Sequence, residues 1–443
     1  MTSSTRIESG DCLTVIPRLV AEGVLVDAIV CDPPYGLEFM GKEWDGANGF
    51  RRSLNSADAG RDNVFGRTSQ TSPGQPDDVT STGARQHLHI YQEWTEAWAR
   101  EALSILKPGG YLLAFGGTRT YHRMTCAIED AGFEIRDAIM WHYGTGFPKS
   151  LNVSKAIDKA AGAEREVVAT VRYKGGGTEH INRSNAAVHD YRPDGYQKGE
   201  NILDVTAPST DAAREWEGWG TALKPATEII CVARKPLSER TVAANVLKHG
   251  TGALNIDECR IDGKAGAGVW GSSNNTIALD EDERRTFNAS PDQRDFRSRP
   301  YRVAGTTTVG RWPANLAHDG APEVMALFPE SAGQQAAVRP DSGTGQKTNG
   351  ILGKFATNSD HEPRGDGGSA ARFFYSTKAG AEDRWGSKHP TVKPVKLIEW
   401  LITLVTRKGG LVLDCFAGSG TAGVAALATG RAAILIERDP NYI

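Results

Sequence analysis

Apolar and polar positions follow regular periods at both ends of the chain and lose them in the middle. Near the start, Arg6-Ile7-Glu8 reads as a short strand and Leu13 to Glu22 as a helix. Val26-Asp27-Ala28-Ile29-Val30-Cys31 then forms a buried strand that stops at Asp32-Pro33-Pro34. The i, i+3, i+4 spacing of Tyr91, Trp94, Trp98, Ala102, Ile105 and Leu106 predicts an amphipathic helix, ended by Pro108-Gly109-Gly110 and followed by the strand Tyr111 to Phe115. A helix over Tyr121 to Asp130, strands over Phe133 to Trp141 and Thr227 to Ala233, and a helix over Thr241 to Lys248 come next. In the last stretch Pro394, as first helical residue, opens a helix carrying Leu397, Ile398, Leu401, Ile402 and Val405. A strand over Gly410 to Asp414, a small-residue helix to about Thr429 and a strand from Ala432 to Ile436, tipped by Glu437, complete the pattern. Strands alternating with helices predict an α/β fold with a doubly wound, mostly parallel sheet.

Between these blocks the period disappears. Glu38 to about Arg85 is rich in Gly, Ser, Asn, Asp and Thr and reads as one long loop. Tyr143 to Pro225 and Gly263 to Ala370 are Gly-rich, polar and Arg-rich, which predicts an inserted, loop-rich lobe outside the sheet core. Among its basic residues, Arg183, Arg192, Arg284, Arg285, Arg294, Arg297, Arg299 and Arg311 are candidates for phosphate or guanine contacts, although for any single one of them a solvated surface charge is the simpler reading.

Composition narrows the class only a little. With 443 residues, 39% hydrophobic and 24% charged, the chain is ordinary globular protein, long enough for one large α/β domain and a sizeable addition. A net charge of -3 excludes a uniformly basic, nucleic-acid-coating protein, so any such affinity must come from a local face. The six cysteines are scattered without a C-x-x-C pair, which fits a reducing cytoplasm, and the ten histidines do not gather at ligand spacing, so no metal site is expected. Met1 to Glu8 lacks an apolar core and no stretch approaches a membrane span, so neither export nor a membrane partner is expected.

Three constellations carry candidate chemistry. The first is the strand ending in Asp414, the turn Phe416-Ala417-Gly418-Ser419-Gly420-Thr421, a helix, and a second strand ending in Glu437. Glycines let backbone approach a ligand, and an acidic strand tip can hold ribose hydroxyls, so the unit suits a nucleoside-type cofactor. A third fingerprint glycine is absent, with Thr421 in line, which argues against NAD. The second is Asp32-Pro33-Pro34-Tyr35 at the end of a buried strand, where ligands of open α/β sheets sit. The lone pair of an exocyclic base amine is delocalised into the ring. The Asp32 carboxylate and Pro33 carbonyl are two acceptors suited to both N–H groups, and Tyr35 to stacking on a base drawn out of the duplex. The plain alternative is a turn whose prolines end a strand and whose Asp caps a helix. The third is His389-Pro390-Thr391-Val392-Lys393-Pro394 before a helix, a site for a carboxylate such as that of a methionine moiety, and equally an ordinary Thr cap.

The order of these motifs, Asp-Pro-Pro-Tyr early, a variable middle, then His-Pro-Thr-x-Lys-Pro and Phe-x-Gly-x-Gly, resembles the beta-class amino-methyltransferases of bacterial and phage restriction-modification and epigenetic systems. The resemblance covers about residues 5–145, 225–260 and 371–443, and includes Arg372-Phe373-Phe374-Tyr375. It implies a circularly permuted, Rossmann-like S-adenosylmethionine-dependent methyltransferase fold with a seven-stranded sheet. Residues 1–145 would hold the catalytic half, 226–262 and 371–443 the remainder with the cofactor half, and 146–225 with 263–370 the inserted target-recognition region.

The resemblance further implies that Asp414, Phe416, Gly418, Gly420, Thr421 and Glu437 surround S-adenosylmethionine, with Thr391 and Lys393 near its methionine end. Asp11 and Cys12 would touch its adenine, while Asp11 as a helix cap before Leu13 is an equal reading. Asp32, Pro33, Pro34 and Tyr35 would carry direct transfer to an amine without a covalent intermediate, and Cys31 would only pack. The expected substrate is adenine N6 in double-stranded DNA, because Asp at the first motif position is commoner among adenine enzymes. N4-cytosine methylation, an RNA methyltransferase and a non-catalytic DNA-binding relative stand as alternatives. A cognate restriction endonuclease and a homodimer are partners compatible with the family, in the cytoplasm of a bacterial or phage-infected cell. Two departures from the family stand out: the chain stops six residues after Glu437, ahead of the helix that normally follows, and the middle is longer than in compact members.

Overall fold

Alternate residues of Val26–Cys31 face two different apolar clusters, Ile29 and Cys31 one and Ala28 and Val30 the other. A strand buried on both faces belongs inside a sheet rather than at its edge. It lies there in the computed structural model, which describes residues 4–37, 43–58, 81–144, 146, 150–173, 201–261, 310–330, 369–377, 383 and 392–442. In chain order the elements are β1 (Thr5–Ser9), α1 (Cys12–Ala21), β2 (Val26–Cys31), α2 (Ala47–Asp58), α3 (Ser81–Ile105), β3 (Leu106–Gly116), α4 (Tyr121–Asp130) and β4 (Glu134–His142). There follow α5 (Val153–Ala160), β5 (Val167–Tyr173), β6 (Asn201–Thr206), α6 (Asp211–Glu215), β7 (Thr227–Arg234), α7 (Val242–His249), β8 (Leu316–His318), α8 (Pro322–Met325) and β9 (Tyr375–Ser376). The last are α9 (Val395–Val405), β10 (Leu411–Asp414), α10 (Thr421–Ala428) and β11 (Ala432–Glu437).

The chain divides into two compact units, Met1–Gly144 with Thr227–Ile443, and Thr145–Ala226. The first is built on one sheet in the order β1-β11-β10-β2-β3-β7-β4-β8-β9. Strands β1, β11, β10, β2 and β3 run parallel, β7 runs antiparallel between β3 and β4, and β8 and β9 continue parallel to β4. The late strands β10 and β11 are thus threaded between the early β1 and β2, as a permuted sheet requires. One cluster, with Ile16, Leu19, Trp94, Trp98, Ile105 and Ile128, covers the face under α1, α3 and α4; the other, with Leu397, Leu401, Ile402, Ala425 and Ala426, covers the face under α9 and α10. Among the described residues no helix is long and apolar enough to cross a membrane.

Several local expectations change. The seven strands expected are extended to nine by β8 and β9. Residues 316–318 therefore join the sheet, although 263–370 reads as loop outside it; a three-residue strand is too short to show a period. Part of the loop expected over 38–85 is helical, because Phe50 of α2 stacks on Trp94 of α3 with ring centroids 4.6 Å apart. Pro108-Gly109-Gly110 lies inside β3 rather than between elements, and Pro394 is the cap of α9 rather than its first residue.

The smaller unit has few large apolar residues, and its α5 and α6 are joined by a polar centre. Burial opposes the charge of Asp158, but the backbone N–H groups of Ser209 and Thr210, the Thr210 hydroxyl and Arg165 at 2.6 Å overcome it and hold the carboxyl down to about 2.

In the larger unit, buried Asp27 of β2 joins three strands: its carboxylate accepts from Lys107 Nζ at 2.7 Å and from the Leu411 N–H at 2.8 Å. Asp27→Ala strands both donors and is expected to lower folding stability by about 2–3 kcal/mol, discounted because the Lys107 end is partly wet. Urea melts would read it as a lower midpoint at unchanged slope.

Candidate active site

Parallel β2 and β10 are neighbours, so the segments leaving their C-terminal ends emerge side by side. Asp32-Pro33-Pro34-Tyr35 leaves β2 and the glycine turn leaves β10. Strand β7 runs the other way, so its beginning, at Glu228, lies at this same edge. Lys393 enters from the segment before α9, and its side chain is nearly enclosed.

Four side chains meet there. The Lys393 ammonium is 2.7 Å from Asp32 Oδ2, 3.2 Å from Glu228 Oε2 and 3.2 Å from the Tyr35 hydroxyl oxygen. The Tyr35 hydroxyl lies 2.9 Å from Asp32 Oδ1 and 3.1 Å from Glu228 Oε2. The ammonium also sits 5.0 Å from the centre of the Phe115 ring, a cation–π distance. Burial alone would lower the Lys393 pKa, but the Asp32 and Glu228 carboxylates outweigh it and hold the ammonium protonated. The Tyr35 phenol is pushed well up by burial and by the two carboxylates, so it stays a donor. Burial likewise raises the Glu228 carboxyl, against the pull of Lys393.

The loop backbone is fixed from outside. Buried Asp45, in a short 3-10 turn, accepts from the N–H groups of Gly36 at 2.7 Å and Leu37 at 3.1 Å. The Thr120 hydroxyl donates to the Tyr35 carbonyl at 2.6 Å. Gly36 has φ of +65°, and a Cβ there would meet the Tyr91 ring at 2.8 Å, so only glycine fits.

At the neighbouring turn, Gly418 and Gly420 have φ of +50° and +78°. Glu437 at the tip of β11 accepts from the Gly418 N–H at 2.7 Å and the Asp439 N–H at 2.7 Å, so its carboxylate faces the turn. The Phe416 ring packs against Trp94 and Trp98, with centroids 5.6 and 5.5 Å away. Buried Asp414 accepts from the Phe416 N–H at 3.0 Å. Thr421 begins α10, its hydroxyl 3.0 Å from that of Ser419.

Asp11 caps α1 through the Leu13 N–H at 3.0 Å, and its second oxygen accepts from the Ser53 hydroxyl at 2.7 Å. Cys12 is buried in the core. Cys31 is buried too, and burial pushes its thiol well up, which leaves no thiolate for nucleophilic attack. Thr391 lies outside the described residues, as do Arg183, Arg192, Arg284, Arg285, Arg294, Arg297 and Arg299. The Arg311 guanidinium lies 4.8 Å from the centre of the Phe373 ring. Sequence reasoning passes over Glu228, Asp45, Thr120 and Ser53. For Glu228 a signal exists, an acidic residue heading the apolar run Ile229 to Ala233; it becomes meaningful only once β7 is known to be antiparallel.

A family model described as DNA methylase matches residues 26–443. The type II methyltransferase M.HindIII of Haemophilus influenzae is 27% identical over 252 residues, 56% of this chain and 64% of that protein. The DNA adenine methyltransferase YhdJ of Escherichia coli is 47% identical over 55 residues, 12% of this chain and 19% of that protein. The matches therefore span less than two thirds of these relatives. Among solved structures, the M1.HpyAVI-SAM complex aligns over 99% of this chain and 95% of its own, with a TM-score of 0.36 and 14% identity.

Proposed function

The chain belongs to the DNA methylase family of the N6/N4 type, and from that premise we propose that it transfers a methyl group from S-adenosylmethionine to the N6 amine of adenine in double-stranded DNA. The observation that carries this reading is the juxtaposition of Asp32 and Tyr35 with the glycine turn that leaves the adjacent parallel strand.

The turn fits a nucleoside. Two left-handed glycines leave the backbone bare, and each Glu437 oxygen accepts one backbone N–H and keeps acceptor capacity for a ribose hydroxyl. Gly418, Gly420, Phe416, Thr421, Asp414 and Glu437 would hold the cofactor, with Asp11 and the backbone of Cys12 at its base and Thr391 toward its carboxylate, while the Lys393 ammonium, expected there from the sequence, is instead taken by Asp32 and Glu228. When bound, S-adenosylmethionine supplies an electrophilic methyl group on a sulfonium. The chain's own residues prepare the nucleophile. Asp32 and the Pro33 carbonyl accept from the target amine, which localises its lone pair, and Tyr35 offers a ring held in place through its hydroxyl and its carbonyl to the extruded base.

Residues 146–225 and 263–370, apart from the sheet strand β8, are proposed as the target-recognition region, on the strength of their position between the motif halves and their arginines. Adenine is favoured over cytosine by the identity of Asp32. A cytoplasmic setting, a cognate endonuclease and a homodimer complete the reading.

The test is transfer of labelled methyl from S-adenosylmethionine into DNA, RNA or protein, followed by modified-base sequencing of DNA from expressing cells. Label in DNA as N6-methyladenine at one sequence context is expected; label in RNA or protein alone overturns the reading, and N4-methylcytosine overturns its base assignment.

A further inference from the structure

We propose that Glu228 is a positioning residue, the second carboxylate onto which Lys393 and the Tyr35 hydroxyl shift when the target amine engages Asp32. The inference rests on the amine-methylation reading of the site and goes beyond it in giving Glu228 a role.

Two donors bridge two carboxylates in this cluster. Asp32 is held by both, Lys393 at 2.7 Å on Oδ2 and the Tyr35 hydroxyl at 2.9 Å on Oδ1. A single oxygen of Glu228 lies within reach of the same two groups, at 3.2 and 3.1 Å. The longer pair of contacts is thus on Glu228 and the shorter pair on Asp32. An incoming amine needs what Lys393 now neutralises. A carboxylate already paired with an ammonium is a weak acceptor for a neutral N–H, because the positive charge beside it offsets the field that would localise the amine's lone pair.

Releasing Asp32 without Glu228 would leave a nearly enclosed ammonium with no counter-charge, which is strongly unfavourable for a buried ion. With Glu228 in place, the ammonium is already within 3.2 Å of a second carboxylate, so moving toward it weakens the Asp32 pair without leaving the charge unpaired. Exposure gives the pair distinct duties: the Asp32 side chain is 24% exposed and Glu228 17%, with Lys393 at 10% behind both. The more open carboxylate therefore meets the substrate, and the more enclosed one keeps the ammonium. Strand β7 makes this possible, since its antiparallel course brings the start of a strand to the ligand edge.

Glu228→Gln keeps the size of the side chain and an acceptor for both donors, but removes the charge. The expected result is a fall in kcat for DNA methylation of about tenfold or more, with KM for DNA and the calorimetric Kd for S-adenosylmethionine changed less than about twofold. In a Lys393→Met background, read by single-turnover rates at saturating cofactor, the same substitution is expected to have no further effect, because no ammonium remains to be drawn away. An unchanged kcat in Glu228→Gln overturns the proposal, as does a loss confined to KM or cofactor affinity, or an equal fractional loss with and without Lys393. Cofactor binding by the variant shows that it folds. If the parent protein itself methylates no DNA amine, the underlying reading fails, which the parent assay alone reveals.

Discussion

Asp32→Ala is expected to lower kcat for methyl transfer by about 100- to 1000-fold, the range seen when one preorganised transition-state contact is removed. Cofactor affinity should stay within a few-fold, since the turn at Gly418 and Glu437 is untouched. The variant should fold, because Lys393 retains Glu228 at 3.2 Å and is not left as an uncompensated buried charge. Rapid-quench single-turnover rates with calorimetry of S-adenosylmethionine separate the two quantities; a rate within about threefold of the parent would remove Asp32 from the mechanism. Asp32→Ser is the companion test of base choice. It keeps an oxygen acceptor without the charge, and unchanged adenine methylation would mean that the residue type carries no information about the base.

Asp414→Asn is expected to stabilise the cofactor-free protein. Burial pushes the Asp414 carboxyl up to about 7, the Phe416 N–H opposing and the Asp32 and Glu437 carboxylates adding to the rise. A folded-state value above the unfolded one means that the native protein binds more protons between about pH 4 and 7, so stability falls as pH rises through that window. The full penalty applies above pH 7 and none of it below the unfolded value. A rise from 3.8 to about 7 corresponds to roughly 4 kcal/mol at most. Asparagine can still accept from the Phe416 N–H but carries no charge, so a gain of about 2–4 kcal/mol at pH 8 is expected, shrinking toward zero at pH 4. Urea melts at the two pH values measure it; equal midpoints at pH 8 would show that the buried charge costs nothing. Weaker S-adenosylmethionine binding is the expected accompaniment.

Much of this was readable in the chain because parallel strands buried on both faces, such as Val26–Cys31 and Ala432–Glu437, leave continuous apolar runs, and glycine and proline mark their ends. What escaped reading depends on distant contacts. Helix α2 has a polar sequence and is seated by Phe50, whose ring meets Trp94, Tyr91 and His87 of α3, and by the Ser53 hydroxyl, which donates to Asp11 and accepts from the Trp94 indole. Strands β8 and β9 are too short to carry a period and exist because β4 offers a free edge. At the site, Asp32, Tyr35 and Lys393 were visible as motif residues. The network among them was not, because Glu228 lies 193 residues from Tyr35 in the chain and reaches it only through the reversed strand.

That reversal has an evolutionary consequence. The pairing of β4 with β7 ends with His142 opposite Thr227, so residues 143–226 leave and re-enter the sheet one strand spacing apart, about 5 Å. Residues 145–226 between these ends form a compact unit of their own, so the sheet requires of them only that their two ends stay one strand spacing apart. The intervening cassette can therefore be exchanged, enlarged or trimmed by recombination while the chemistry beside it is inherited unchanged.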